Sequence, residues 1–270
     1  MATLPYDYYW SVYSETLADV AAELARQLAR LPRLNLVEGA AGADILEGTR
    51  RDDALLGGGG NDTMRGHDGA DFLHGGFGND RMWGGNGGDS MHGCNGNDSM
   101  WGQGGNDFMH GGLGNDQMWG GTGNDSLHGC FGDDILKGEA GNDFLHGGFG
   151  KDQLFGGSGN DTLNGCFGDD LIDGGAGDDL LSGGYGQDTF VFNGGRDRII
   201  DFETGACGCG SDHRAETIRV DLDGVDSYAE LMAAARQSGG NTVFELGGGN
   251  ALVLEGVAMA ELDSSMFVFV

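Results

Sequence analysis

Residues 57–92 read GGGGNDTMR, GHDGADFLH, GGFGNDRMW and GGNGGDSMH: four blocks of nine with glycine first and fourth, aspartate sixth, and leucine or methionine eighth. The frame extends outward in both directions without insertion, from Gly39 to Val191, which gives 17 blocks. Glycine fills the first position of all 17 and the fourth of 16, Arg51 being the exception, and the sixth is always Asp. Self-similarity at a fixed period is the mark of a repeat architecture, so it outranks every other signal in the chain.

Each column has a physical reason. Glycine recurs where the backbone needs positive φ or must approach an ion closely. A carboxylate at one fixed place per frame supplies a hard oxygen ligand. Positions seven to nine predict a very short strand with the eighth side chain turned inward. One frame cannot bury its single apolar residue, so frames must stack. Alternate strands then form two parallel sheets, and two frames make an 18-residue coil. Loops 18 residues apart lie about 4.8 Å from each other, close enough for their carboxylates to repel. A Ca2+ ion between successive loops, taking carboxylate and backbone carbonyl oxygens from both, turns that repulsion into a cross-link.

The tandem GGxGxDxUx pattern resembles the RTX (hemolysin-type calcium-binding nonapeptide repeat) family of secreted proteins over residues 39–191. The resemblance implies an all-β fold: a right-handed parallel β-roll, or β-helix solenoid, with an N-terminal helical cap and a C-terminal α+β cap. It implies Ca2+ ligation by Asp62, Asp71, Asp80, Asp89, Asp98, Asp107, Asp116, Asp125, Asp134, Asp143, Asp152, Asp161, Asp170, Asp179 and Asp188, with loop carbonyls such as those of Gly75, Gly93, Gly111, Gly129, Gly147 and Gly165. If a site needs frames n and n+2, 17 frames offer at most about 15 sites, and about +30 of calcium charge would nearly cancel the formal charge of -29. The first two frames, GAAGADILE and GTRRDDALL, lack several loop glycines, so Asp44 and Asp53 are expected to be weak or empty ligands.

The organisation is accordingly 1–38 as an N-terminal capping helix, 39–191 as the β-roll, and 192–270 as a C-terminal cap with the type I secretion signal that the resemblance implies. Leu17, Val20, Ala21, Leu24, Leu28 and Leu31 follow helical spacing, with Ser14 or Thr16 as N-cap and Pro32 as terminator. In the last segment SYAELMAAARQ (227–237) predicts a helix, NTVFEL and NALVLEG read as strands, and Asp263 precedes an apolar stretch. An antiparallel β cap is the plainer reading of the same segment.

The balance of 43 acidic against 14 basic side chains opposes nucleic acid and anionic membranes as partners. No apolar run reaches the roughly 18–20 residues of a membrane span, and residues 1–15 do not read as a Sec-type signal. Calcium in the cytosol is too scarce to fill sites of the extracellular class, so a polyanionic chain stays unfolded there and folds where calcium is plentiful. The resulting expectation is a secreted, extracellular protein that leaves by the type I machinery without a cleaved N-terminal signal. HExxH, GxSxG and Walker sequences are all missing, so no catalytic residues are expected and the chain reads as a non-enzyme.

The outward columns are where a special function would sit. The ninth position of alternate frames is His74, His92, His110, His128 and His146. Such a ladder could chelate Zn2+, Cu2+ or Ni2+ between neighbours, making the protein an extracellular transition-metal binder. It could equally be a packing ladder or a contact face for a partner or second copy. On the other sheet Trp83, Trp101 and Trp119 form an aromatic stripe of the kind that marks surface contacts or self-association, with repeat duplication as the plainer alternative. Met64, Met82, Met91, Met100, Met109 and Met118 read as core. Cys94, Cys130 and Cys166 fall on one edge about 10 Å apart, too far for mutual disulfides. Cys207, Cys209 and His213, in a glycine-rich loop, offer too few ligands at zinc-site spacing to be more than a weak metal candidate.

Overall fold

The computed structural model describes residues 34–204 and 216–270. The segment read as the N-terminal capping helix lies outside them, as do Cys207, Cys209 and His213. The described chain is almost entirely strand, wound into a parallel solenoid of two facing sheets. One sheet has 13 strands and takes the strands of alternate frames, among them Phe72–Phe77, Ser90–Asn95 and Phe108–Leu113. It carries the histidines. The other has 11 strands, among them Arg81–Asn86, Ser99–Gly104 and Gln117–Thr122, and carries the tryptophans. Register is an invariant 18 residues, as in Leu73↔Met91 and Met82↔Met100, so identical columns stack into ladders.

The strands are longer than the three residues expected. From Thr63–Asp68 to Leu180–Tyr185 each runs six residues, from position seven through position three of the next frame, as in Phe72–Phe77. The reason lies in the strand pairing: parallel partners on both sides skip the first glycine of the next frame and take its second and third residues, such as Gly76 and Phe77, into the ladder before the chain turns. Position eight points inward and is completely buried, from Met64 through Met118 to Ile172, so the core is a single row of side chains from each sheet. All six methionines read as core are in it.

Beyond residue 191 both sheets continue. Arg196–Ile199 extends the histidine sheet, and Thr217–Val220 and then Phe267–Phe269 extend the tryptophan sheet in parallel. Asn250–Leu254 also joins in parallel, and only Asn241–Gly247 and Ala235–Ser238 add as an antiparallel hairpin. The end is therefore mixed, not simply antiparallel. The helix predicted over 227–237 is shorter, Tyr228–Ala233, capped by the Ser227 hydroxyl accepting from the Glu230 N–H. Ala235–Ser238 leave it because strand pairing with Asn241–Phe244 outweighs their helical propensity.

Candidate metal centre

Turns on the two edges of the solenoid bring each repeat aspartate over its equivalent one coil away. The Asp62 backbone N–H donates to Asp80 Oδ1 at 2.7 Å, the Asp80 N–H to Asp98 Oδ1 at 2.8 Å, and the series continues to Asp170 and Asp188 at 2.9 Å. The other edge repeats it from Asp53 and Asp71 to Asp179 and Asp197. Position five adds a second ladder that sequence reasoning missed: Asn61, Asn79 and Asn97 each accept from the backbone N–H of the next residue in their column. A polar residue recurring in one column was the available signal.

Oδ1 is thus committed, and Oδ2 is not. From Asp62 to Asp197, every repeat aspartate is buried with its Oδ2 lacking any hydrogen-bond donor. Burying so many carboxylate oxygens without a donor or a counter-charge is strongly unfavourable. The unpartnered oxygens also share a cradle. A Cβ added at Gly57 would overlap Asp62 Oδ2 and sit 2.6 Å from the Gly75 carbonyl oxygen. One added at Gly93 would overlap Asp98 Oδ2 and sit 2.8 Å from the Gly111 oxygen. The Gly93, Gly129, Gly147 and Gly165 carbonyls are placed in the same way against Asp80, Asp116, Asp134 and Asp152. Glycine at position one therefore keeps open a gap between a carboxylate of one coil and a carbonyl of the next. Hard oxygens converging in this way suit Ca2+. A bound ion would supply the missing positive charge, and the chain's part is to hold the oxygens in place by the N–H to Oδ1 ladder.

Without a cation the carboxyls are held far above the ordinary aspartate value. Burial pushes Asp98 and Asp134 to about 8, Asp116 and Asp170 to about 7, and Asp80 and Asp152 to about 6, and neighbouring aspartates add to several of these shifts. The first two frames differ in which carboxylate oxygen is engaged, and Asp53 keeps its Oδ1 buried without a donor. Asp44 Oδ2 accepts the Ala40 N–H at 2.6 Å, and Asp53 Oδ2 accepts the hydroxyl of Thr49 at 2.9 Å and its backbone N–H. Protein donors already occupy the oxygen that later frames leave open.

An eighteenth frame escaped the reading. FNGGRDRII (192–200) lacks the first glycine but keeps Gly195 at φ +78°, Asp197 and Ile199. Asp197 completes its ladder, is fully buried and is pushed to about 8 by burial.

The histidine ladder is present, with neighbouring ring centroids 5.8–6.4 Å apart, but the imidazoles turn to protein partners rather than to each other. His74, His110 and His146 set Nε2 at 3.1–3.3 Å from the Sγ of Cys94, Cys130 and Cys166. His92 and His128 set Nε2 at 3.2 and 3.0 Å from the hydroxyls of Ser90 and Ser126. Phe72, Phe108 and Phe144 fill the alternate places in the serine column, tilted against histidines of the adjoining coils. The face therefore repeats every two coils. Among the described residues no three His, Cys, Asp or Glu side chains form a metal-holding group, so chelation of Zn2+, Cu2+ or Ni2+ by this ladder finds no support. The cysteines stand at φ +81 to +83°, a backbone region that costs a residue with a side chain about 1–3 kcal/mol.

Burial and neighbouring imidazoles hold His92 down to about 3 and His128 to about 4. Folding thus favours the neutral form, and this contribution to stability is complete above the ordinary histidine value of 6.5 and lost as pH falls below it. Changing both His92 and His128 to Asn, the residue the chain itself places in this column at Asn164, should move acid unfolding of the calcium-loaded protein to lower pH. Circular dichroism across pH 7 to 4 checks it, and an unmoved or raised midpoint would contradict it.

On the other sheet Trp83, Trp101 and Trp119 stack almost flat, 4.7 and 5.0 Å between centroids, with Arg65 over one end and Lys137 at the other. Their faces cover one another and only edges meet solvent. A more exposed aromatic row was missed: Phe131, Phe149, Phe167 and Tyr185, third in alternate frames, with centroids 4.7–5.2 Å apart.

Among the described residues no helix is long and apolar enough to cross a membrane. No curated protein matches the chain. Among solved structures, the crystal structure of extracellular lipase LipA from Serratia marcescens is similar at 17% identity with a TM-score of 0.35. That match covers 88% of this chain and only 40% of that one, so the chain spans less than half its length. The model of the RTX calcium-binding nonapeptide repeat matches residues 38–73, 56–91, 65–100, 92–127, 128–163 and 167–199, more than half of the chain in all. With that repeat matched across its coils, and with a row of buried carboxylate oxygens without donors, most of them beside a glycine carbonyl of the next coil, the chain belongs to the RTX calcium-binding nonapeptide repeat family.

Proposed function

We propose that this calcium-binding β-roll is a secreted protein, exported unfolded by the type I route, which folds on meeting extracellular calcium and then serves as a structural or binding module. The observation that carries the reading is the row of buried Oδ2 atoms without donors, because it makes the folded state depend on a cation the cytosol does not provide. The C-terminal segment fits the same order of events. Asp263 accepts from the Ser265 N–H at 2.7 Å, capping the short turn Ser264–Met266, and Phe267–Phe269 pairs with Ile218–Val220, so folding orders residues 263–266 as a turn and takes 267–269 into the sheet. A signal that must be read in an extended chain is then read before calcium acts. The ligands are Asp62 to Asp188 at position six with the paired glycine carbonyls, joined by Asp197.

In this reading the chain is not an enzyme, and its contacts are made by the ladders, first among them the exposed row Phe131, Phe149, Phe167 and Tyr185. Calcium removes the electrostatic obstacle to such contacts, since filling the sites offsets most of the charge of -29.

A titration of chelated chain with calcium, followed by circular dichroism and sedimentation velocity, tests it. The expected result is a single cooperative gain of β-structure and a compact particle, with a midpoint between about 0.1 and 1 mM. A chain already compact and β-rich in excess EGTA at neutral pH would overturn it.

A further inference from the structure

The calcium-dependent roll just proposed implies that its last turn must also be closed, and the turn there is built differently. After Asp188 the next residue in its column should lie 18 positions on, yet the strand Thr217–Val220 pairs with Thr189–Phe192 only after a longer excursion. The Thr217 N–H donates to the Asp188 carbonyl at 2.9 Å, the bond that Ser99 makes to Asp80 in a regular coil. Glu216 therefore stands where a repeat aspartate would stand, in a segment with no trace of the nonapeptide pattern.

Glu216 is 1% exposed. Its Oε2 accepts the Glu203 N–H at 2.8 Å, while Oε1 has no donor. Its carboxyl lies against that of Asp188, which is equally buried and whose Oδ2 is likewise without a donor. A third carboxylate, Asp201, is held close by on the Gly183 and Gly184 N–H groups and the Ser182 hydroxyl, at 3.1, 3.0 and 2.6 Å. Two buried carboxyl groups in contact need either a shared proton or a cation between them. The nearby Asp201 carboxylate adds to the draw on any positive partner, and a divalent ion can neutralise both buried carboxylates at once where one shared proton cannot.

We propose that Asp188 and Glu216 hold a further divalent cation, calcium in the extracellular setting, at a site outside the repeat that fastens the C-terminal strands to the last coil. Its ligands come from segments that the repeat does not link: Asp188 ends the seventeenth loop, and Glu216 opens the strand beyond residues 205–215. Glutamate, one methylene longer than the repeat aspartate, gives the returning chain the extra reach.

Equilibrium dialysis with 45Ca on the full chain, together with thermal denaturation at saturating calcium, tests the proposal on wild type, Glu216→Gln and Glu216→Asp. An amide reproduces a protonated carboxyl and can donate to Asp188, so the two accounts part. If a cation is held here, Glu216→Gln binds one calcium fewer than wild type, and Glu216→Asp keeps the full complement. If a proton is shared, Glu216→Gln keeps wild-type stoichiometry and stability, and the proposal falls. Should Glu216→Gln fail to fold, Glu216→Asp decides by affinity: if the site exists, the shorter side chain binds one calcium more weakly than wild type does, and if every calcium binds as in wild type the proposal falls. A wild-type chain that binds no calcium refutes the parent reading instead, and the wild-type arm alone reveals that.

Discussion

A chain carrying Gly111→Ala and Gly120→Ala together should come apart in the middle. Neither glycine has positive φ, so alanine is compatible with both backbones, and the sole effect is the added methyl group. At Gly111 it would overlap Asp116 Oδ2 and approach the Gly129 oxygen to 2.8 Å; at Gly120 it would overlap Asp125 Oδ2 and approach the Gly138 oxygen to 2.9 Å. These cradles lie on opposite edges, so the pair strips both cross-links from one coil. A buried carboxylate left without its partner costs about 3–5 kcal/mol, and two on the same coil are comparable to the whole stability of a small domain. We expect calcium stoichiometry to fall by at least two and limited proteolysis to cut between residues 111 and 143, leaving the flanking coils. Gly42→Ala, where an added Cβ meets nothing within 4 Å, is the control. A double variant as protease-resistant as Gly42→Ala would show that the gaps are not where the cation acts.

The second large effect concerns the metal-free chain in acid. Asp80, Asp98, Asp116 and Asp134 bind their protons more tightly in the roll, at about 6 to 8, than in the unfolded chain, near 3.8. The folded state takes up more protons across that interval, so calcium-free stability rises as pH falls from about 8 towards 4 and is lost again as pH rises. Protons thus stand in for calcium. In excess EGTA the chain should be unfolded at pH 8 and should regain β-structure on acidification to about pH 6. Below 6.5 the histidine ladder works the other way, because its imidazoles are held neutral by folding. Recovery should therefore reach further into acid when His92 and His128 are Asn. The opposite sign is expected with calcium present, since protons compete for the same oxygens and raise the calcium needed at lower pH. A metal-free chain whose β-signal is flat from pH 8 to 5.5 would contradict the account.

Much of this was legible in nine letters. Period, register, inward column, the two-sheet arrangement and the position-six carboxylate all follow from GGxGxDxUx, because in a solenoid each residue's neighbours are set by its place in the repeat. The side chains that share a place with their copies were equally visible, which is why the histidine and tryptophan ladders could be named. What stayed hidden depends on diagonal contacts or on breaks in period. The thiol of Cys94 meets His74 of the preceding coil, two columns across, and nothing in the strict 18-residue spacing pairs them. Asp197 was hidden by the loss of one glycine, and Glu216 by an excursion that returns the chain to register. Ala235–Ser238 read as helix because only tertiary pairing tells them otherwise.

The two-coil alternation on the histidine face has a consequence for how such a chain can change length. Deleting or duplicating 18 residues would preserve the carboxylate loops, yet it would set Phe above Phe, leaving a histidine without its thiol, or Ser above Ser, leaving a thiol without its histidine. Only steps of 36 residues keep the face in phase. Growth of this molecule is quantised in pairs of coils: its calcium edges tolerate any whole turn, and its outer surface counts by two.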